Sequence, residues 1–210
     1  MSYLRDNPSQ IYICFDCETE SLSLFGKNRP WSISWLLYQN GKILEQHNRF
    51  ILWEDLNMSK GAAQVTRFNY EEYRKKAEDA NKVLDDFEVY LHDSKYVIIF
   101  HNGTNFDQYI IKNWHEDLGR KNDYSYLERA IDTNSLARAI KKGVKKIERK
   151  DWKLMNFRFG NYREKGLKTN LTALGKEFNI MVDYDSLHDS GADIILNIKV
   201  FDQLKYQIEI

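Results

Sequence analysis

Ile11-Tyr12-Ile13-Cys14-Phe15-Asp16-Cys17-Glu18-Thr19-Glu20 runs from a block of strand formers straight into acid, and the chain then turns through Ser21, Leu22 and Ser23. Side chains of a strand alternate between its two faces, so Asp16 and Glu18 leave the same face, one above the other. Carboxylates stacked this way repel each other unless a cation lies between them, and oxygen-only ligation suits Mg²⁺ or Mn²⁺. A lone Asp-x-Glu also arises by chance, as a strand end carrying two solvated acids. The rest of the chain has to decide between these readings.

With 210 residues, the chain fits a single domain, 1–210, with a real core. Its two prolines, Pro8 and Pro30, and the lack of any low-complexity stretch leave no linker to divide it. Formal net charge is zero, so a polyanionic partner would have to be met by local patches and not by a global field. The longest apolar runs, such as Tyr96-Val97-Ile98-Ile99-Phe100, are far too short to span a bilayer. Met1-Ser2-Tyr3-Leu4-Arg5-Asp6 lacks the apolar core of a signal peptide, and the expectation is a cytoplasmic protein with no membrane partner. Cys14 and Cys17 spell Cys-x-x-Cys, but positions i and i+3 of a strand point to opposite faces, and no second pair completes four ligands. Two reduced, largely buried thiols are expected instead.

Beyond the first strand, Trp31–Tyr38 and Ile43–Leu52 are rich in strand formers and are joined by Gln39-Asn40-Gly41-Lys42, a strong hairpin signal. Three antiparallel strands therefore come first. Tyr73, Ala77, Ala80, Leu84, Phe87 and Leu91 recur at helical spacing and predict one long amphipathic helix. Tyr96–Phe100 reads as a buried strand, followed by a helix carrying Phe106, Ile110 and Trp114. Ala130-Ile131-Asp132 is a short strand, and Thr133 or Asn134 would cap the next helix, closed by Gly143. Leu171, Leu174 and Phe178 mark a further helix, and the last begins near Ser190 with Ile194, Ile198 and Phe201. The order predicts an α/β fold with a mixed five-stranded sheet, three antiparallel strands then two parallel ones, flanked by helices.

Ligands of α/β sheets gather outside strand ends, where this order brings Asp16, Glu18 and Asp107. Asp193 falls in the first turn of the last helix, with His188 just before it. On one continuous helix those two would be separated by about 140°, so both face one site only if His188 sits on the lead-in loop. Taken together, Phe15-Asp16-Cys17-Glu18-Thr19, His101-Asn102-Gly103-Thr104-Asn105-Phe106-Asp107 and His188-Asp189-Ser190-Gly191-Ala192-Asp193 resemble the three motifs of the DEDD exonucleases. The His-x-x-x-x-Asp spacing resembles the DEDDh branch, the DnaQ-like 3′→5′ exonucleases of the ribonuclease H-like superfamily. Ala130-Ile131-Asp132-Thr133 and Leu171-Thr172-Ala173-Leu174-Gly175 resemble its connecting segments, so the resemblance runs from about Ile11 to Phe201.

That resemblance implies a ribonuclease H-like fold and two divalent metal ions, Mg²⁺ or Mn²⁺. Asp16 would bridge them, Glu18 and Asp193 would complete the ion that holds the attacking water, and Asp107 would support the other beside the leaving 3′-oxygen. His188 would be the general base. Two ions about 3.5–4 Å apart can clamp both oxygens of an in-line displacement, and imidazole titrates near neutral pH. Thr19 and Leu22 match a terminal-nucleotide contact and a wedge against the last base; His101, Asn102 and Phe106 would touch substrate. Glu20 departs from the family's turn and places a negative charge near the phosphate path. His101 competes with His188 for the role of base, and motif spacing favours His188.

Arg138 to Lys168 holds twelve Lys and Arg against three acids, with Trp152, Phe157, Phe159 and Tyr162 interleaved, the makeup of a single-strand binding surface. It reads as a basic insertion at roughly 143–168, with a β-hairpin arm over Lys153–Phe159 and Trp152 stacking on a base. The expected activity is release of nucleoside 5′-monophosphates from a single-stranded DNA 3′ end. RNA as substrate and an inactive nucleic-acid-binding module are the alternatives. Proofreading members of the family bring in a polymerase or replication protein as partner, although no polymerase domain or clamp-binding stretch is evident. The small size and Asn, Lys and Tyr content suit a phage protein working in host cytoplasm.

Overall fold

In the computed structural model, residues 4–24, 27–184 and 190–210 are described. The first strand, β1 (Ile11–Thr19), pairs antiparallel with β2 (Pro30–Gln39), which pairs antiparallel with β3 (Lys42–Leu52). The β2–β3 turn places Asn40 and Gly41 at φ 46° and 79°, the two left-handed residues that a tight hairpin turn needs. On its other side β1 pairs parallel with β5 (Tyr96–Phe100), and β5 with β6 (Ala130–Asp132). These are the five expected strands. A sixth, the two-residue β4 (Glu78–Asp79), adds parallel to the end of β3, giving the order β4-β3-β2-β1-β5-β6.

Both faces of the sheet are covered. Tyr12 and Cys14 of β1 pack in one core cluster with α5 (Thr133–Lys141), α6 (Trp152–Gly160), α7 (Leu171–Glu177) and α8 (Ser190–Leu204). Ile13, Phe15 and Cys17 pack in the other, against α3 (Ala80–Leu91) and α4 (Asp107–Asp117). The two cysteines are thus free, buried and on opposite faces. Burial and the neighbouring carboxylates, Asp16 foremost for Cys14 and Asp107 for Cys17, push both thiols well above their ordinary pKa. Among the described residues, no helix is long and apolar enough to cross a membrane.

The spacing of Tyr73 through Leu91 does not make one helix. α1 (Lys60–Val65) and α2 (Tyr70–Lys76) come first, Ala77 is extended at φ −67°, ψ 137°, and α3 starts afresh. Asp79 caps α3 by accepting the N–H of Lys82 at 3.0 Å, and Glu78 is held by Arg49 of β3. Tyr73, Ala80, Leu84, Phe87 and Leu91 are all buried, so the spacing reports a shared buried side and not one continuous rod.

A second difference is larger. The predicted hairpin at 153–159 is the helix α6, and its inward side is core, with Trp152, Met155, Asn156 and Phe159 buried. Asn156 explains why the helix belongs there. Its side-chain amide donates to Ala130 O (2.8 Å) and accepts from Asp132 N (3.0 Å), so it completes the open edge of β6 as another strand would. Sheet edges carry unpaired backbone groups, and this one is covered by a helix. Asn156→Ala strands one buried donor and one buried acceptor, each costing about 1–3 kcal/mol. Urea unfolding should therefore show a loss of about 2–6 kcal/mol; a change under about 0.5 kcal/mol, the level of an ordinary surface substitution, contradicts this role.

Candidate active site

β1 and α8 meet at the acids. Asp16 and Glu18 stand on one face of β1, Asp193 lies in the first turn of α8, and donor oxygens of all three lie within 4.8 Å of one another. Small side chains permit this approach. In register, Ser34 and Ser32 of β2 oppose Asp16 and Glu18. The buried Ser190, first residue of α8, meets Ser34 Oγ at 2.7 Å and Ser32 Oγ at 3.5 Å. One turn on, the thiol of Cys14 donates to Ile194 O at 3.6 Å, and a further turn along, the Asn197 amide donates to Cys14 Sγ at 3.4 Å. The N-terminus of α8 is thereby pinned beside β1. His188 lies outside the described residues.

Asp107 stands next to this trio and is not part of it. It is the first residue of α4 and buried, and its Oδ1 accepts the N–H of Cys17 at 3.2 Å. The pairing of β5 with β1 ends at Cys14↔Ile99, and the Asp107 carboxylate takes up a β1 N–H beyond that point. Burial pushes its pKa up to about 7, against the pull of the N–H groups of Cys17 and its own backbone.

The loop between β5 and α4 is clamped by Asp132, which is fully buried. Its carboxylate accepts the N–H groups of Asn102 (2.9 Å) and Thr104 (3.1 Å), and of Asn134 and Ser135 at the start of α5. Asp132, not Thr133 or Asn134, is therefore the cap of α5. Sequence reading placed Asp132 at the end of a short strand and missed the clamp; an Asp immediately before a helix is the signal that could have found it. Asn102 takes φ 63°, a conformation Asn tolerates better than most residues. Gly103 has no room for a side chain, since a Cβ there would lie 2.4 Å from Cγ of Phe100.

His101 sits partly buried on this loop, its Nδ1 2.8 Å from Thr133 Oγ1 and its Nε2 buried without a hydrogen-bond partner. Burial, and then Arg138, lowers its pKa to about 3. Phe106 is the partly buried residue before α4.

In the turn after Glu18, Thr19 is buried and its hydroxyl donates to Ser21 O at 2.7 Å, whereas Leu22 is 61% exposed. Glu20 differs from expectation. It is buried, and it accepts Arg29 Nη2 at 2.6 Å, Arg29 Nε at 3.0 Å and the N–H groups of Arg29 and Asn57. Its charge is spent on folding the turn and does not face the phosphate path. Trp152 is 2% exposed, so it presents no face on which a base could stack. A cleft of about 670 Å³ opens beside the trio, lined by Glu18, Ser32, Trp31, Arg67 and the first residues of α8 among others.

No protein-family model matches the chain, and no curated protein matches it. Its fold is similar to solved structures of exonuclease I. One, on how that enzyme achieves processivity, shares 17% identity over 94% of this chain and 41% of that chain, with a TM-score of 0.73. The zinc-bound E. coli enzyme with single-stranded DNA shares 16% over the same fractions, with a TM-score of 0.73. The E. coli enzyme with a dA16 oligonucleotide shares 18% over 95% of this chain and 41% of that chain, with a TM-score of 0.72. This chain thus spans about two fifths of those proteins' length. The likeness establishes the ribonuclease H-like α/β fold.

The buried imidazole makes a prediction with a definite sign. In the unfolded chain His101 takes up a proton near pH 6.5, while in the folded protein it stays neutral down to about pH 3. Above pH 6.5 both states are neutral and nothing changes. As pH falls below 6.5 only the unfolded state gains the proton, so stability drops by at most about 1.4 kcal/mol per unit. NMR should show the His101 ring signals flat from pH 8 to 5; a titration midpoint near 6.5 contradicts the assignment.

Proposed function

We propose that the chain is a metal-dependent 3′→5′ exonuclease that releases nucleoside 5′-monophosphates from single-stranded DNA. The observation that carries this reading is the meeting of Asp16, Glu18 and Asp193 at the end of β1, in a fold similar to exonuclease I. Two of the similar structures are complexes of that enzyme with single-stranded DNA or an oligonucleotide. Among the described residues the cluster is three carboxylates, a hard, all-oxygen donor set that fits Mg²⁺ or Mn²⁺. Asp16, Glu18 and Asp193 would hold one ion, and Asp16 with Asp107 a second. When bound, such ions neutralise charge on the phosphate and lower the pKa of water.

The residues of the chain do the rest. His188, which lies just before α8 in the sequence, accepts the proton of the attacking water. The water oxygen bonds to phosphorus as the bond from phosphorus to the 3′-oxygen breaks, and that oxygen takes a proton from solvent and leaves as the 3′-hydroxyl of the shortened strand. Leu22, exposed on the turn after β1, wedges against the terminal base, and Thr19 holds that turn through Ser21. His101, neutral and fixed by Thr133, shapes the pocket and contacts substrate beside Asn102 and Phe106, and its low pKa suits it poorly to take a proton near pH 7.

A 5′-labelled oligonucleotide with Mg²⁺ should yield a descending ladder, and EDTA should stop it. Asp16→Ala should abolish cleavage and leave the fold intact, since removing one of several crowded carboxylates does not empty the core; activity above a few per cent of wild type contradicts the assignment. His188→Ala should lower turnover by about 10²–10⁴ while oligonucleotide binding in Ca²⁺ persists. If His101→Ala costs far more than His188→Ala, the two histidines have exchanged roles.

A further inference from the structure

The outward side of α6 has no role in the reading above, and its composition is unusual. Leu154, Phe157 and Arg158 fall within an arc of about 100° given 3.6 residues per turn, opposite the buried Trp152, Met155, Asn156 and Phe159. Leu154 is 67% exposed and Phe157 36%, on the most basic stretch of a chain whose net charge is zero. Lys150 lies on the turn leading into the helix and Lys153 in its first turn. Their acidic partners, Glu148 at 3.4 Å and Glu128 at 2.6 Å, form exposed pairs of little strength.

Position gives this surface its meaning. The C-terminal end of α6 abuts the loop that carries Asp107, because Asn105 Nδ2 donates to Gly160 O at 2.8 Å. Two further cations converge on that carbonyl, Arg138 Nη1 at 2.8 Å and Arg163 Nη1 at 2.6 Å. Neither arginine forms an ion pair with a carboxylate among the described residues. If Asp107 lies on the leaving-oxygen side, the body of the strand departs past residues 102–107 and meets Arg163 and then α6.

We infer that the outward face of α6 is the track for the single strand upstream of the cleaved bond. Phe157 stacks on a base, Leu154 packs its apolar side chain against a neighbouring one, and Lys150, Lys153 and Arg158 meet phosphates. Unpaired bases offer both a ring face and an anionic backbone, and no sequence preference is needed to bind them. This rests on the exonuclease reading, which supplies the strand and its direction.

Two full-length variants test it, Phe157→Ala and the triple Lys150→Gln, Lys153→Gln, Arg158→Gln, each checked by thermal melting. Binding of a long single-stranded oligonucleotide in EDTA is titrated against salt, and Mg²⁺-dependent turnover of a saturating dinucleotide is measured beside it. Phe157→Ala should weaken binding by about 5- to 150-fold, the measured range for loss of one stacked base. The triple variant should flatten the log–log salt slope by about 2, at about 0.7 per phosphate contact. Dinucleotide turnover should not change. Unaltered affinity and slope would overturn the track, as would an equal loss of dinucleotide turnover, which would make α6 a support of the active site. If the unaltered chain binds with these dependences but cleaves nothing, the track stands and the exonuclease reading falls.

Discussion

Carboxylates gathered within 4.8 Å of one another repel unless a cation or a hydrogen-bond donor comes between them, and a fold that brings Asp16, Glu18 and Asp193 together must supply the free energy that holds them. Uncharged side chains around them contribute part of it. Ser190 packs on Ser32 and Ser34, and Cys14 and Asn197 meet about two helical turns deeper. The sheet behind them is buried on both faces, so neither β1 nor α8 can move apart from the other without opening core.

The fourth acid depends on a separate piece of construction. Asp107 reaches β1 because the loop before it is fixed from three directions. Asp132 holds its backbone N–H groups, Gly160 O receives Asn105, and Gly103 comes so close to the Phe100 ring that no side chain fits there. Asp132 is in turn anchored by Asn156, which also closes the edge of β6. A helix that looks like a surface appendage in the sequence is therefore mechanically connected to the candidate site. Its inward side shapes the loop of Asp107, and its outward side faces the solvent that a strand would occupy.

What could be read in advance follows physical lines. Alternation along β1, the Asn40-Gly41 turn and the acids at strand and helix ends are local patterns that the fold keeps. The break between α2 and α3 was hidden because Tyr73 and Leu84 are buried alike whether or not the chain between them is helical. Glu20 looked like a charge beside the substrate because its partner, Arg29, arrives only when the turn closes. Trp152 and Phe157 are aromatic residues of one basic stretch, and only the helix, not their composition, sends the first into the core and leaves the second outside. His188 was placed by motif spacing, and its position lies outside the described residues.

The central claim is that Asp16, Glu18 and Asp193 form a divalent-cation site built into the fold. Calorimetric titration of the chain with Mn²⁺ in the absence of nucleic acid tests it most directly, with Asp193→Asn as the comparison. Asparagine keeps the size of the side chain at the first turn of α8 and removes its charge. Saturable binding by the unaltered chain, weakened at least tenfold in the variant while thermal stability without metal is kept or raised, is the predicted result. Equal Mn²⁺ binding by both proteins, or none by either, would contradict the account.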